Sequence, residues 1–308
     1  MSKITVPDSS LHATLMKRAT YFSVATATLL IAIKAGAWWL SGSLTVLASL
    51  VDSCMDATAS ILNMLAVRYS LKSADDDHKF GHGKAEALAG LGQALFIAGS
   101  AVFLLINAVG RLAKPTPLTC IGVGLGVMTF AIVITMLLLS YQRYVVKITD
   151  SSAIRADSLH YASDLLTNLA TIMALFFANF GILIMDPLLA LAIALYISYS
   201  AWEIGIESIH LLMDHELPDE MREIICRIAT KQASVLGVHD LRTRKSGRIH
   251  MIQLHLELDD QMPLIEAHAI AKSVERQIQT HFPQADIIIH QDPINLVDRS
   301  AQKDGTNH

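Results

Sequence analysis

Residues 21–40 form a nearly continuous apolar stretch, close to the roughly 20 residues that an α-helix needs to cross the hydrocarbon of a bilayer. The pattern recurs at 44–67, 87–109, 122–140, 159–180 and 183–206, which gives six candidate spans and places both chain ends on one side. Such a chain must satisfy its backbone hydrogen bonds within each stretch, and continuous apolar runs of this length do so as helices. The composition agrees, since 52% hydrophobic and 17% charged residues with a mean hydropathy of +0.43 are too apolar for an ordinary soluble domain. Trp38 and Trp39 mark the interfacial end of the first span. The polar residues before it are many for a signal peptide and no small-residue cleavage pattern follows, so the first span reads as a retained helix.

Lys and Arg resist translocation, and their distribution orients the spans. Lys17, Arg18, Arg68, Lys72, Lys79, Lys84, Arg143, Lys147 and Arg155 fall on one side. Only Arg111 and Lys114 fall on the other, and the turns near 41–43 and 179–181 carry no cation, so both termini are expected in the cytoplasm. A formal charge of -4 and 6% aromatic residues exclude the basic surface and stacking platforms of a nucleic-acid binder. Cys54, Cys120 and Cys226 are far apart and lack CxxC spacing, which excludes a disulfide framework or a zinc ribbon.

The apolar pattern stops at about residue 208, and a small α+β pattern follows. Residues 218–232 have helical spacing with Pro at the first turn and acids near the start. Residues 239–243 and 250–258 read as strands; in the second, Ile252, Leu254, Leu256 and Leu258 alternate with Gln253, His255 and Glu257. A helix over 263–282 and a strand over 286–291 complete the order αββαβ, an open sheet with helices on one face. The expected fold is therefore an α-helical membrane protein, six transmembrane helices followed by a cytoplasmic α+β domain. Its divisions are a cytoplasmic segment 1–20, a membrane domain 21–208, a soluble domain 209–297 and a disordered tail 298–308.

Acidic residues stand where acid is expensive. A charged side chain at a helix centre costs about 2.5 to 3.5 kcal/mol on insertion, and Asp52 and Asp56 lie inside the second span. Their i, i+4 spacing puts both on one helical face, and His160 and Asp164 repeat it in the fifth span. Two such helices face to face would offer three carboxylates and one imidazole, a tetrahedral set suited to a borderline divalent ion such as Zn2+. The plainer reading is of helix-end residues reaching the interface or pairing with Lys34. In the connection between the second and third spans, glycines around His82 in FGHGKAE let the backbone turn and bring His78 and His82 near Asp75; a solvated loop would look similar. In the soluble domain His290 and Asp292 share one face of a strand and His255 lies on the polar face of its own, while His239 and His268 can join only through tertiary structure. Taken singly, each of these histidines also reads as an exposed sheet or helix residue.

LVDSCMD, DDDHKFGHGKAEALA, RADSLHYASD, LPDE, HDLRTRKSG and IIIHQDP together resemble the cation diffusion facilitator family, in its bacterial ferrous-iron and zinc efflux branch, over about residues 17–293. The resemblance implies a transport site of Asp52, Asp56, His160 and Asp164, and a loop site of Asp75, His78 and His82. It further implies a binuclear cytoplasmic site of His239, His255, His268, His290 and Asp292, with Gln291 near it, and a charge interlock of Lys84 with Asp214 at the membrane border. It also implies a metallochaperone-like soluble domain, a homodimer in the bacterial inner membrane, and alternation between inward-facing and outward-facing states. Zn2+ would serve as substrate and as structural or regulatory metal, with no organic cofactor. His in place of Asp52 would imply narrower zinc selectivity; Asp52 leaves Cd2+, Fe2+ and Mn2+ open.

Physical chemistry favours exchange with protons. Export of a dication against an inside-negative potential costs about 4.6 kcal/mol per 100 mV, twice the roughly 2.3 kcal/mol for one charge. Carboxylate and imidazole bind metal only when deprotonated, so one ligand set can couple the two flows. A metalloprotease would need a motif such as HExxH, which does not occur. A metal sensor would bind without flux, and a channel would pass metal downhill whatever the proton gradient.

Overall fold

The computed structural model describes residues 9–42, 44–113, 122–178, 180, 182 and 184–294. The tail 298–308, with Lys114 and the turn at residue 43, lies outside the described residues. The chain divides into two compact units, Met1–Ile209 and His210–His308.

In the first unit lie six helices: α1 (Ser9–Ser41), α2 (Leu44–Ser70), α3 (Lys84–Ala113), α4 (Gly122–Thr149), α5 (Ser152–Ala178) and α6 (Met185–Leu212, whose last turn passes into the second unit). All six are long and apolar enough to cross a membrane, which makes this a multi-pass membrane protein. Large apolar side chains such as Leu95, Phe103, Leu137, Tyr199 and Trp202 face outward, a surface that suits lipid and not water.

The helices are longer than the apolar runs. At 33 residues and about 1.5 Å per residue, α1 exceeds the roughly 30 Å of hydrocarbon, and it begins at Ser9 where the sequence suggests a polar leader as far as residue 20. Leu15, Met16 and Ala19 in that stretch are buried against Val67, Val145, Ala153 and Ile154, while Lys17 and Arg18 stay exposed. Similarly α5 starts at Ser152, capped by Ser151 Oγ, which accepts from the Ile154 N–H at 3.3 Å. Its first turns are buried on nearly every side, and packing there replaces the amphipathic signal.

Small residues set the close approaches. Ala94, Ile97 and Ala101 of α3, Ala156 and Leu159 of α5, and Ile197, Ala201 and Ile204 of α6 form one buried cluster. A Cβ on Gly90 would lie 2.9 Å from Ser208 Oγ, so α3 needs glycine there. Helices α1, α2, α4 and α5 gather round the other cluster, and a polar network crosses them. The buried Asp157 Oδ2 accepts from Ser23 Oγ at 2.6 Å and Gln142 Nε2 at 2.7 Å, and Tyr161 Oη meets Ser60 Oγ at 2.8 Å. At the opposite end of the bundle Arg111 of α3 pairs with Asp186 of α6 at 2.7 Å.

The second unit carries α7 (Asp219–Thr230), β1 (Gly237–Ser246), β2 (Ile249–Leu258), α8 (Leu264–His281) and β3 (Asp286–Pro293), the order αββαβ. The sheet order is β1-β2-β3, with β1 antiparallel and β3 parallel to β2, the latter through the α8 crossover. One core joins Ile225, Ile228 and Ala229 of α7, Ile252, Leu254, Leu256 and Leu258 of β2, and Ala267, Ala271, Val274 and Ile278 of α8. Both helices therefore cover the same sheet face. The other face is left for His255 and Glu257, which alternate with the buried leucines.

Candidate metal centres

Within the membrane unit, α2 and α5 bring together three of the four residues expected at the transport site. One ligand atom from each of Asp56, His160 and Asp164 lies within 4.8 Å of the others. His160 Nε2 is 3.1 Å from Asp56 Oδ1 and 3.8 Å from Asp164 Oδ2, and it is buried without a partner in hydrogen-bond geometry. Asp52 stands outside that tight group but lines the same cavity of about 120 Å³, together with Asp56, Asp164, Lys34 and Tyr161. Ala27 and Leu30 of α1 and Ala131 and Thr135 of α4 complete its walls.

The loop group is Asp75, His78 and His82. Asp75 Oδ1 accepts from the backbone N–H of His78 at 2.8 Å and of Asp77 at 3.2 Å, an Asx-type turn that folds the segment back. Gly81 at φ +76° continues the turn in the left-handed region. These bonds, that from His78 first, hold the Asp75 carboxyl below the ordinary carboxylate range. His82 is buried, with its ring 4.5 Å from those of Tyr69 and His78. Its Nδ1 lies 3.2 Å from the Ser73 carbonyl, which can only accept, so Nδ1 is the donor and the ring is held in place. Its Nε2 then lies 3.3 Å from Asp75 Oδ2.

In the soluble unit the sheet register builds the third group. His239 stands opposite His255, and His255 opposite His290, one row across three strands. Two residues along, Gly237, Glu257 and Asp292 form the adjacent row. Asp292 is the hub: Oδ2 lies 2.7 Å from His255 Nδ1 and 3.2 Å from His239 Nε2, and Oδ1 lies 2.6 Å from His290 Nδ1. Partial burial pushes its carboxyl upward, but the bonds from His255 and His290 outweigh that and leave it below the ordinary range. Ligand atoms of His239, His255 and Asp292 lie within 4.8 Å of one another.

Two neighbours escaped the sequence reading. Glu257 Oε1 lies 3.0 Å from His239 Nδ1, and Asp240 Oδ2 lies 3.6 Å from His255 Nε2. Glu257 was detectable as the next residue on the face of His255; Asp240 was not, because it sits at φ +47° in an irregularity of β1 between His239 and Arg242. His268 is exposed on α8, in the layer covering the opposite sheet face, and a single chain does not bring it to the histidine row. Gln291 likewise points away from that row, its Nε2 donating to the Ile289 carbonyl at 3.2 Å. Lys84 opens α3 in the membrane unit, and Asp214 lies in the soluble unit, where its Oδ2 accepts from Arg244 Nη1 at 3.0 Å.

Comparison with known families decides what these groups belong to. The cation efflux transmembrane domain matches residues 20–213, and the cation efflux protein cytoplasmic domain matches 217–294. The chain belongs to the cation-efflux family, the cation diffusion facilitators. This cation-efflux protein is 48% identical over 292 residues to the cation-efflux pump FieF of Salmonella choleraesuis and, to the same extent, to that of Salmonella typhimurium. Those alignments cover 95% of this chain and 97% of each relative. Among solved structures, the Zn form of the transporter CzrB matches at 32% identity over 28% of this chain and 99% of that one, with a TM-score of 0.27. The metal-bound C-terminal domain of the CzcD transporter from Thermotoga maritima matches at 22% identity over 26% and 93%, with a TM-score of 0.25. As a cation-efflux protein the chain is a transporter and not an enzyme.

Proposed function

We propose that this protein exports divalent metal ions from the cytoplasm across the bacterial inner membrane in exchange for protons, with both termini cytoplasmic. The observation that carries the reading is the convergence of Asp56, His160 and Asp164 between α2 and α5, beside a cavity walled by four membrane helices that Asp52 also lines. Their six-helix setting and the cation-efflux family support it. Zn2+ is the first substrate for a three-carboxylate, one-imidazole set, and Cd2+, Fe2+ and Mn2+ fit the same donors. Every ligand in the set must lose its proton to bind metal, so protons and metal exclude each other there. Alternating access then needs only that α2 and α5 move as a pair around the ion.

The loop group and the histidine row serve on this reading as cytoplasmic metal sites. Asp292 is placed to bridge two ions, because its two oxygens face different imidazoles. His268 joins that site, with Gln291 near it, only if another copy of the chain supplies them, as a homodimer would.

Transport by purified protein in vesicles tests the proposal, with metal and proton dyes read together. Asp56→Ala or His160→Ala is expected to abolish flux while the protein stays folded, because the acidic span is retained for its ligands. Metal movement should reverse with an imposed pH difference. Wild-type flux from either variant, or flux indifferent to the pH difference, would overturn the reading.

A further inference from the structure

The transport cavity contains a fixed positive charge that the ligand set does not use. Lys34 of α1 lines it with Asp52, Asp56 and Asp164. An ammonium in a span is as costly as a carboxylate, and a lysine with a free path reaches out to the interface. This one reaches instead across to α2, where Nζ donates to Ser53 Oγ at 2.6 Å and to the Ser49 carbonyl at 3.1 Å. Ser49 and Ser53 are four residues apart, and each stands three residues before an acid of the transport site, Asp52 and Asp56. The serines therefore form the helical row next to the acids. These bonds of Lys34 go to neutral oxygens, so its charge stays directed into the cavity while the carboxylates keep their lone pairs for metal.

From this arrangement we infer that Lys34 is a positioning residue whose ammonium, anchored on Ser49 and Ser53, weakens the hold of the transport site on its divalent ion and so speeds release. The inference rests on the transport-site reading of Asp52, Asp56, His160 and Asp164. A transporter must bind its cargo weakly enough to let it leave, and three carboxylates with an imidazole would hold a dication tightly. A unit charge a few ångströms away opposes that hold in proportion to the ion's double charge, and it does so without occupying a coordination position. The serine anchors keep it from closing on a carboxylate as an ion pair.

The test compares the full-length wild-type chain with Lys34→Gln, Lys34→Met and Lys34→Arg in vesicles, using Zn2+ and Cd2+ as probes, with Asp56→Ala alongside. Loss of the charge is expected to lower KM on the order of tenfold and to lower kcat, because bound metal leaves more slowly. Lys34→Arg keeps the charge and is expected to stay near wild type in both. A lysine that only clamps α1 to α2 would lower the yield of folded protein without that joint fall in KM and kcat. An unchanged or raised KM in a folded neutral variant overturns the inference, as does Lys34→Arg behaving like Lys34→Gln. So does failure of both neutral variants to fold while Lys34→Arg folds, which assigns the lysine to the clamp. If Asp56→Ala transports like wild type, the transport-site reading itself fails; if Asp56→Ala is dead and the neutral variants match wild type, only the inference about Lys34 fails.

Discussion

Replacing Asp292 by Asn should unmake the cytoplasmic histidine row with little change of shape. Three imidazole nitrogens converge on the two carboxylate oxygens, at 2.6, 2.7 and 3.2 Å. An amide keeps one oxygen and offers a donor in place of the other, so at least one contact is lost and the rest lose their charge assistance. A hydrogen bond to a charged group contributes about 1.5 to 3 kcal/mol net, and the Asp292 side chain is only 21% exposed, so solvent screening removes a minor part. The expected loss in chelator is about 1.5 to 3 kcal/mol. For a domain of this size each kcal/mol shifts the melting temperature by roughly 4–8 °C, giving a fall of about 6 to 24 °C. Zn2+ at a hundredfold its dissociation constant should raise wild-type stability by about 2.7 kcal/mol, and the variant, without its bridging carboxylate, should gain much less. Thermal melts of the fragment 215–297, whose core is self-contained, read both effects with and without Zn2+. Equal melting temperatures in chelator and an equal rise with Zn2+ would return these histidines to an ordinary solvated sheet face.

Gly81→Ala forces an L side chain to φ +76°, at a cost of about 1 to 2 kcal/mol, and should loosen the turn that holds Asp75, His78 and His82; metal bound per chain, by equilibrium dialysis, is expected to fall while the transport site still fills. His250 is held below the ordinary imidazole range, first by burial and then by Lys245, so the unfolded chain binds the extra proton more readily. Its contribution to stability is present above its unfolded value near 6.5 and is lost as pH falls below that, and denaturant melts of His250→Gln across pH 5–7 should show a flatter profile than wild type.

The six spans were legible because bilayer thickness imposes a length and an apolarity that a sequence cannot hide. Their ends were not. Helix α1 continues down to Ser9 because Leu15, Met16 and Ala19 pack on α2, α4 and α5, a tertiary cause that hydropathy does not register. In the soluble domain β2 announced itself by strict alternation, whereas β1 runs over Gly237–Ser246 and only 239–243 suggested a strand. Arg242, Arg244 and Lys245 blur its pattern, and the irregularity at Asp240 shifts its phase. At the sites, spacing within one helix showed that Asp52 and Asp56, or His160 and Asp164, share a face. It did not show that Asp52 would stand back from the other three, or that Lys34 would be pinned at Ser49 and Ser53, because both depend on how α1 lies on α2. Glu257 entered through strand register, which pairs it with Asp292 across to β3.

The three groups use the same donors, and their hydrogen bonding separates their roles. In the loop, His82 donates from Nδ1 to the Ser73 carbonyl, which orients its Nε2 toward Asp75 Oδ2, 3.3 Å away. In the soluble domain every imidazole of the row is engaged with a carboxylate, so on the proposed reading a metal ion would have to displace those contacts. In the membrane His160 Nε2 is buried with no hydrogen-bond partner. A buried polar atom left unpaired costs about 1 to 3 kcal/mol, and either a metal ion or a proton shared with Asp56 removes that cost. On the proposed reading, the site without metal and without protons is then the least favoured of its three conditions. An exchanger needs that ranking, because a carrier that crosses with neither cargo dissipates the gradient without moving metal.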